Sequence, residues 1–485
     1  MIELTYEQCE DIGVKYVRDL LEPVCPYGVK RLRAEGFYGP ERREELEQEL
    51  DNVSLVCAAL AENESAVLDL RQMLGGLKEL SGTFDACDRR ALTEVELYDL
   101  TAFCMRLKAI IPRAQMLTGY EKLCGVRFVP VDAALAILDP SYSGRLSFYV
   151  EDARTPKLLA AREKKRELER ALRLCPENER RTLLLQRQET AKAEEDALSA
   201  IYAEMSDRLR AHLDALRACA QAAGRLDAAM SKALLARRFG CRRPTVGGDA
   251  LSMTDAVHPQ IAAALEARGR GFTPITAELS RGVTVLTGAN MGGKSVAMKT
   301  IVLNVALALS GFFVFCSAAT VPLFDRMELI NRDFSNAAEG LSSFGGEILR
   351  FNAAAQQLAR GGLSFIAMDE FARGTNALEG AAIARAVVRY LASKNAVTLL
   401  ATHYDGTAAF AARHYQVKGL RRLDAEPEGA SGTDTDRLRR IENAMDYGLI
   451  PVEPGTECPR DALRICHMLG MDREILDYIA DASGD

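Results

Sequence analysis

The chain has no tryptophan, five histidines, and twelve cysteines without a single Cys-x-x-Cys pair. The two closest cysteines are Cys458 and Cys466. Zinc ribbons and thioredoxin-type redox sites need thiols at short spacing, so both are excluded. The opening residues, MIELTYEQCEDIGV, lack a basic start followed by an apolar run, and no export signal is expected. No apolar run reaches the roughly 20 residues of a membrane helix. The longest, Ile301–Cys316, is broken by Asn304, Ser310 and Gly311 and reads as a buried helix followed by a buried strand. Scattered thiols without an export signal imply a reducing, cytoplasmic setting, with no membrane partner. Strong charge of one sign is also missing. The 61 basic against 68 acidic residues leave a net of −7, which excludes a protein that coats nucleic acid through bulk charge. What is present is ordinary for a globular chain: 485 residues, 48% hydrophobic and 27% charged. At roughly 150 residues per domain, about three domains are expected.

Composition divides the chain. Residues 1–150 read as a mainly helical N-terminal core, with helices at Glu41–Leu50 and Leu68–Leu80, breaks at Pro112, Pro130 and Pro140, and a short strand at Ser147–Val150. Residues 151–245 read as an antiparallel helical lever arm. Two helices, 156–174 and 178–223, are separated by Cys175-Pro176, and the second would extend roughly 69 Å at 1.5 Å per residue. Leu198, Ile201, Met205, Leu209, Leu213 and Leu216 recur at helical spacing and predict one packed seam. This segment holds 21 Lys and Arg against 15 Asp and Glu, a net of +6 that leaves −13 for the rest. On long helices such charge is usually a solvated face, and here it is at most a hint of an anionic partner. Residues 246–424 alternate strands (Val283–Thr287, Phe312–Phe315, Leu363–Met368, Val397–Ala401) with helices, the pattern of an α/β domain with a parallel sheet. Residues 425–437 read as a flexible loop, and 438–485 as a strand and helical tail.

Gly288-Ala289-Asn290-Met291-Gly292-Gly293-Lys294-Ser295 fits G-x-x-x-x-G-K-[ST], with a strand before it and a helix after it. The glycines allow torsions that turn successive N–H groups inward, and those groups with the helix N-terminus cradle phosphates. Lys294 is expected to reach the β- and γ-phosphates of ATP, and the Ser295 hydroxyl to ligate Mg²⁺. A second apolar strand ends in Asp369-Glu370. A carboxylate there can hold Mg²⁺, which points to Asp369, and the next can deprotonate the attacking water, which points to Glu370. His403 follows the strand VTLLAT and would sit beside the γ-phosphate if that strand neighbours the phosphate-loop strand.

The run TGANMGGKSVAMKT resembles the phosphate loop of MutS-type ATPases, and further motifs follow in that family's order. Val257-His258-Pro259 resembles the entry motif, Ser342-Ser343-Phe344 the Ser-Thr-Phe signature, Asp369–Thr375 (DEFARGT) the D-E-x-G-R-G-T motif, and Ala401–Tyr404 the A-T-H-Y motif. Cys241-Arg-Arg-Pro244 closes the lever region as R-P does in the family. The resemblance implies an α/β P-loop NTPase of ABC-like, MutS domain V type, with an N-terminal all-α core and helical lever arms. It implies ATP hydrolysis with ATP and Mg²⁺, and His258 and Val296 beside the phosphate loop at the nucleotide. Two ATPase domains would pair head to tail as a homodimer, with a heteromeric pairing also open. Ser342 would then touch the γ-phosphate in trans, Arg373-Gly374-Thr375 would pack at the dimer face, and the C-terminal tail would resemble a dimerisation segment. Ala289, Val296 and Ala372 replace the family's Pro, Thr and Gly without removing a catalytic group.

The accessory parts depart further. Phe37 is followed by Gly39 where a mismatch-reading Phe-x-Glu motif needs Glu. The DNA clamp expected near 175–190 is reduced to a polar link, and no nuclease domain is seen. These departures and the net acidity favour a protein client over DNA, such as a cobalamin-dependent lysine or ornithine aminomutase to be reactivated. The alternative is a MutS-like ATPase acting on mismatched, branched or duplex DNA.

Overall fold

Capping signals open several helices. The computed structural model describes residues 4–141, 144, 146, 150, 151, 154–288, 293–330, 343–420, 445–454, 456, 462–472, 474–476, 478 and 479. Helix α1 (Tyr6–Asp11) starts at Thr5, whose hydroxyl accepts the Gln8 N–H while the Gln8 side chain accepts the Thr5 N–H. Helices α2 (Val14–Asp19), α3 (Pro26–Ala34), α4 (Arg43–Glu62), α5 (Glu64–Gly75) and α6 (Ser81–Arg89) follow. Thr93 and Glu96 repeat the capping box at α7 (Glu94–Gln115), and α8 (Asp132–Leu138) comes next. Pro156 sits in the first turn of α9 (Pro156–Leu174), where its missing N–H is harmless. Then come α10 (Glu177–Arg210) and α11 (Leu213–Phe239).

The chain then alternates. Its order is β1 (Thr245–Val246), β2 (Leu251–Ala256), α12 (Pro259–Glu266), β3 (Ile275–Leu279), β4 (Gly282–Thr287), α13 (Lys294–Ala308), β5 (Ala318–Val321), β6 (Arg326–Ile330) and α14 (Ser343–Leu358). β7 (Ser364–Asp369), α15 (Ala377–Ala392), β8 (Ala396–Ala401), β9 (Arg413–Leu420), β10 (Met445–Val452) and α16 (Ala462–Leu469) complete it.

Two compact units result. One comprises 23–34 and 55–231, the other 1–22, 35–54 and 232–485. Thus 1–22 and 35–54, inside the expected helical 1–150 segment, cluster with the sheet-bearing residues. The helical unit is cored by edge-on rings, Phe103 against Tyr27 at 6.1 Å and against Phe84 at 5.8 Å. The Asp227 carboxylate on α11 accepts the Val24 and Cys25 N–H groups at 3.1 and 2.8 Å, just ahead of α3. In the arm, Glu194 of α10 pairs with Arg162 and Lys165 of α9 at 3.0 and 2.6 Å. Only Cys175 and Pro176 separate α9 from α10.

The expected helix over 178–223 is instead two helices. After α10 the backbone tightens at Ala211, with the His212 N–H donating to the Leu209 carbonyl at 2.8 Å, and α11 then starts afresh. Ile201, Met205, Leu209, Leu213 and Leu216 are nonetheless buried, so the seam continues across the break, with Leu198 half-buried beside it.

The second unit holds two sheets. The six-stranded sheet has the order β10-β9-β4-β8-β7-β6, parallel except that β10 runs antiparallel to β9. β4 and β8 are buried at every position, as strands covered on both faces must be. The four-stranded sheet has the order β1-β5-β2-β3. The mixed α/β class agrees with the sequence. The expected strand Phe312–Phe315 does not form. Phe312, Val314 and Phe315 are buried, but Val314 makes only an isolated bridge to Arg242, and the Phe315 N–H donates to the Asn304 side chain at 2.8 Å. Of the expected strand Ser147–Val150, only Val150 is described, outside any strand, and the loop 425–437 lies outside the described residues. No described helix is long and apolar enough to cross a membrane.

Candidate functional site

Three parallel strands bring the chemistry together. β8 lies between β4 and β7, with Ala401 opposite both Leu286 and Asp369. Past these strand ends, the Thr402 N–H donates to the Leu286 carbonyl at 3.0 Å and the Glu370 N–H to the Ala401 carbonyl at 2.9 Å. Gly288, Asp369-Glu370 and Thr402-His403 therefore leave the sheet at one edge.

Gly293 precedes α13 with φ +91°, and a Cβ there would meet Tyr447 Cδ1 at 2.6 Å. Glycine is required on both counts. Lys294 opens α13, is buried, and donates from Nζ to the Gly288 carbonyl at 2.8 Å. Ser295 follows on the same first turn. Ala289, Asn290, Met291 and Gly292 lie outside the described residues, as does Ser342.

Asp369 closes β7. Burial raises its carboxyl above the usual range, opposed by a hydrogen bond from the Ser295 side chain and by Lys299 and Lys294. Its Oδ1 is buried without a hydrogen-bond partner among the described residues. A carboxylate oxygen without such a partner, beside a serine hydroxyl that follows the glycine-rich segment, would fit Mg²⁺, a hard cation that keeps several waters and takes few protein oxygens. Among the described residues no group of three or more His, Cys, Asp or Glu could hold a metal, and this two-oxygen arrangement needs none.

Glu370 has φ +49°, so its backbone is left-handed. Its carboxylate is ion-paired with Arg373, and His403 Nδ1 lies 3.8 Å from Oε1. In the single chain, Arg373 thus turns back on Glu370. Burial lowers the His403 pKa, Glu370 raises it, and Lys294 and Arg373 lower it further. The net shift is downward, which favours the neutral imidazole. Ala372 also has a positive φ, +65°; its N–H donates to Glu347 Oε2 at 3.0 Å, and its carbonyl accepts the Tyr404 hydroxyl at 3.1 Å.

A cavity of about 350 Å³ opens beside this edge. Gly293, Lys294, Ser295 and Glu370 form its polar end; Ile261, Leu265, Phe272, Ile275, Val296 and Tyr447 supply apolar walls, with Thr273 between. Small-molecule sites have this build, an apolar body with a few convergent polar groups. The sequence did not single out Ile261, Leu265, Phe272 or Tyr447. The only local signal was the i, i+4 pair Ile261 and Leu265 just past His258-Pro259.

His258 departs from expectation. It caps α12, its Nδ1 accepting the Ile261 N–H at 3.4 Å, while Nε2 faces the Ile12 carbonyl at 3.2 Å. Both ring nitrogens are engaged within the chain, and His258 is not among the residues lining the cavity.

Residues 284–461, from within β4 to the start of the tail, match the family described as MutS domain V. The chain is 30% identical over 318 residues to the DNA mismatch repair protein MutS of Leuconostoc mesenteroides subsp. mesenteroides, across 64% of this chain and 37% of that protein. The chain belongs to the MutS superfamily. It is also 30% identical over 287 residues to DNA mismatch repair protein MutS 2 of Halobacterium salinarum, across 59% of this chain and 32% of that protein. With Endonuclease MutS2 of Carboxydothermus hydrogenoformans it shares 27% identity over 304 residues, across 62% of this chain and 35% of that protein. The chain thus spans about a third of the length of these MutS relatives.

Proposed function

We propose that the chain is a P-loop ATPase of MutS type, a dimeric conformational switch that binds and hydrolyses ATP. The observation that carries this is the Asp369 oxygen without a partner among the described residues, beside Ser295, at the polar end of a cavity with an apolar body. The adenine base fits the apolar walls, with Phe272 and Tyr447 as its ring contacts. The phosphates fit the loop 288–295, with Lys294 exchanging the Gly288 carbonyl for phosphate oxygen. Ser295 and Asp369 would hold Mg²⁺, which when bound neutralises phosphate charge. Glu370 is the general base for the attacking water once Arg373 releases it, and neutral His403 donates to phosphate oxygen or orients that water. Ser342 would complete the site from the second subunit. The free thiols among the described residues suit a cytoplasmic setting.

Glu370→Gln tests this. Nucleotide binding should persist while turnover falls about 10²–10⁴-fold, the usual contribution of a general base. A wild-type chain that binds no ATP, or a variant that hydrolyses it unchanged, defeats the proposal.

For the client we favour DNA. Two of these relatives are named for DNA mismatch repair, and residues 151–245 carry the chain's excess of basic charge. Binding to duplex or branched DNA should then weaken steeply with salt and stimulate turnover. The sequence-based preference for a protein client, such as a cobalamin-dependent aminomutase, draws nothing from the relatives' names. One observation still favours it: the two-residue link between α9 and α10 leaves no room there for a clamp. No DNA binding at low salt, with ATP-dependent rescue of an inactivated mutase, would reverse the choice.

A further inference from the structure

Two lysines act on Asp369, and each is also given an acceptor elsewhere. Lys294 donates to the Gly288 carbonyl. Lys299 lies four residues after Ser295, so both occupy one face of α13. Its ammonium is ion-paired with Asp11, the last residue of α1. Helix α1 is docked on β6 and on the start of α12. Gln8 Nε2 donates to the Leu329 carbonyl of β6 at 3.4 Å, and the Ile12 carbonyl faces His258 at 3.2 Å. Asp11 and Lys299 line a small cavity of about 10 Å³ together with Met298, Leu329 and Ala367. Ala367 and Asp369 share one face of β7, because side chains alternate along a strand. Lys299 is thus paired with an acidic residue on α1 while its charge also acts on the carboxylate assigned to Mg²⁺.

A buried carboxylate oxygen without a partner attracts any ammonium within reach. An ammonium settled on it would have to be displaced before a divalent cation could bind. We propose that Asp11 is a positioning residue: by holding Lys299, it keeps Asp369 open to the divalent cation of the nucleotide complex. The inference rests on the nucleotide site proposed above. It gives the N-terminal segment a part in that site which none of the phosphate-loop motifs contains.

The test uses the full chain and equilibrium binding of a fluorescent ATP analogue, titrated with Mg²⁺ and repeated in EDTA. In Asp11→Asn the Mg²⁺ midpoint should rise about tenfold, the scale of one charge pair formed at intermediate dielectric. Affinity in EDTA should stay unchanged. Adding Lys299→Met to Asp11→Asn should return the midpoint to the wild-type value, and Asp11→Glu should keep it there. The inference is overturned if Asp11→Asn leaves the midpoint unmoved or lowers EDTA affinity in parallel, or if the double variant does not recover. A wild-type chain whose nucleotide binding ignores Mg²⁺ would sink the nucleotide site itself, a different result from a normal wild type with an unresponsive Asp11→Asn.

Discussion

Acid should release α12 through a single imidazole. His258 is 1% exposed, and burial pushes its pKa down from 6.5 to about 4. Because Nδ1 accepts the Ile261 N–H, the proton of the neutral ring must sit on Nε2, where it donates to the Ile12 carbonyl. Protonating Nδ1 would set two donors against each other and remove the cap. Above about pH 6.5 the residue is neutral in both folded and unfolded chains, and its contribution is fully present. As pH falls further, the unfolded chain takes up the proton first, so stability is lost progressively until the folded ring titrates near 4. A shift from 6.5 to about 4, at about 1.4 kcal/mol per unit, corresponds to about 3 kcal/mol. That exceeds the ~1 kcal/mol of an ordinary N-cap. Urea unfolding at pH 7.5 and 4.5, for wild type and His258→Asn, isolates the term, since Asn keeps a capping acceptor and cannot titrate. The wild type should lose about 2.5 kcal/mol more than the variant across this window, since the folded ring has begun to titrate by pH 4.5. Equal losses in the two proteins would refute the assignment. Nucleotide affinity at pH 7.5 should be unchanged in the variant; a large loss would return His258 to the nucleotide.

Gly293→Ala should weaken nucleotide binding and lower stability by at least about 1–2 kcal/mol, the penalty for a left-handed non-glycine residue. Its Cβ also meets Tyr447, so a Tyr447→Ala background should recover the steric part alone; full recovery would show that φ is not limiting. Tyr404→Phe removes the hydrogen bond to the Ala372 carbonyl and should cost about 1 kcal/mol in urea unfolding. Because that bond holds the turn after Glu370, kcat should fall with KM unchanged, and an unaltered kcat would mean that the turn does not position the base.

The parts legible in the sequence are those whose chemistry dictates residue type at fixed spacing. β4, β7 and β8 are buried and read as continuous apolar runs. The Gly-Lys-Ser step and the Asp-Glu pair stand out because phosphate and cation chemistry would need those residue types at that spacing. The same apolar signal misled at Phe312–Phe315, because hydrophobicity reports burial and not strand pairing. The break at Ala211 has no Gly or Pro to mark it. The short strands β2 and β3 pair across an intervening helix, so their partners are invisible locally. The cavity's apolar walls, Phe272 and Tyr447 among them, need only size and greasiness, which leave no motif. His258 shows the limit most clearly. Its motif suggested a ligand, but its use is decided by the Ile12 carbonyl, 246 residues away in sequence.

The turn after β7 shows what a family-level substitution has to be balanced by. Ala372 stands where the resembled motif has glycine, and its φ is +65°, with Glu370 at +49° two residues earlier. Left-handed backbone at two non-glycine residues costs about 2–4 kcal/mol in all. Three hydrogen bonds oppose that: Glu370 N–H to the Ala401 carbonyl, Ala372 N–H to Glu347, and the Tyr404 hydroxyl to the Ala372 carbonyl. At about 1 kcal/mol each they roughly offset the strain. The turn therefore keeps its shape because neighbours hold it, and not from its own preference. One of those neighbours, Glu347, lies in the first turns of α14, the helix that begins at Ser343, and another, Tyr404, adjoins His403. Helix α14, the turn after Glu370 and the segment after β8 are thus one hydrogen-bonded assembly, in which a glycine at 372 would relieve strain and keep both backbone hydrogen bonds.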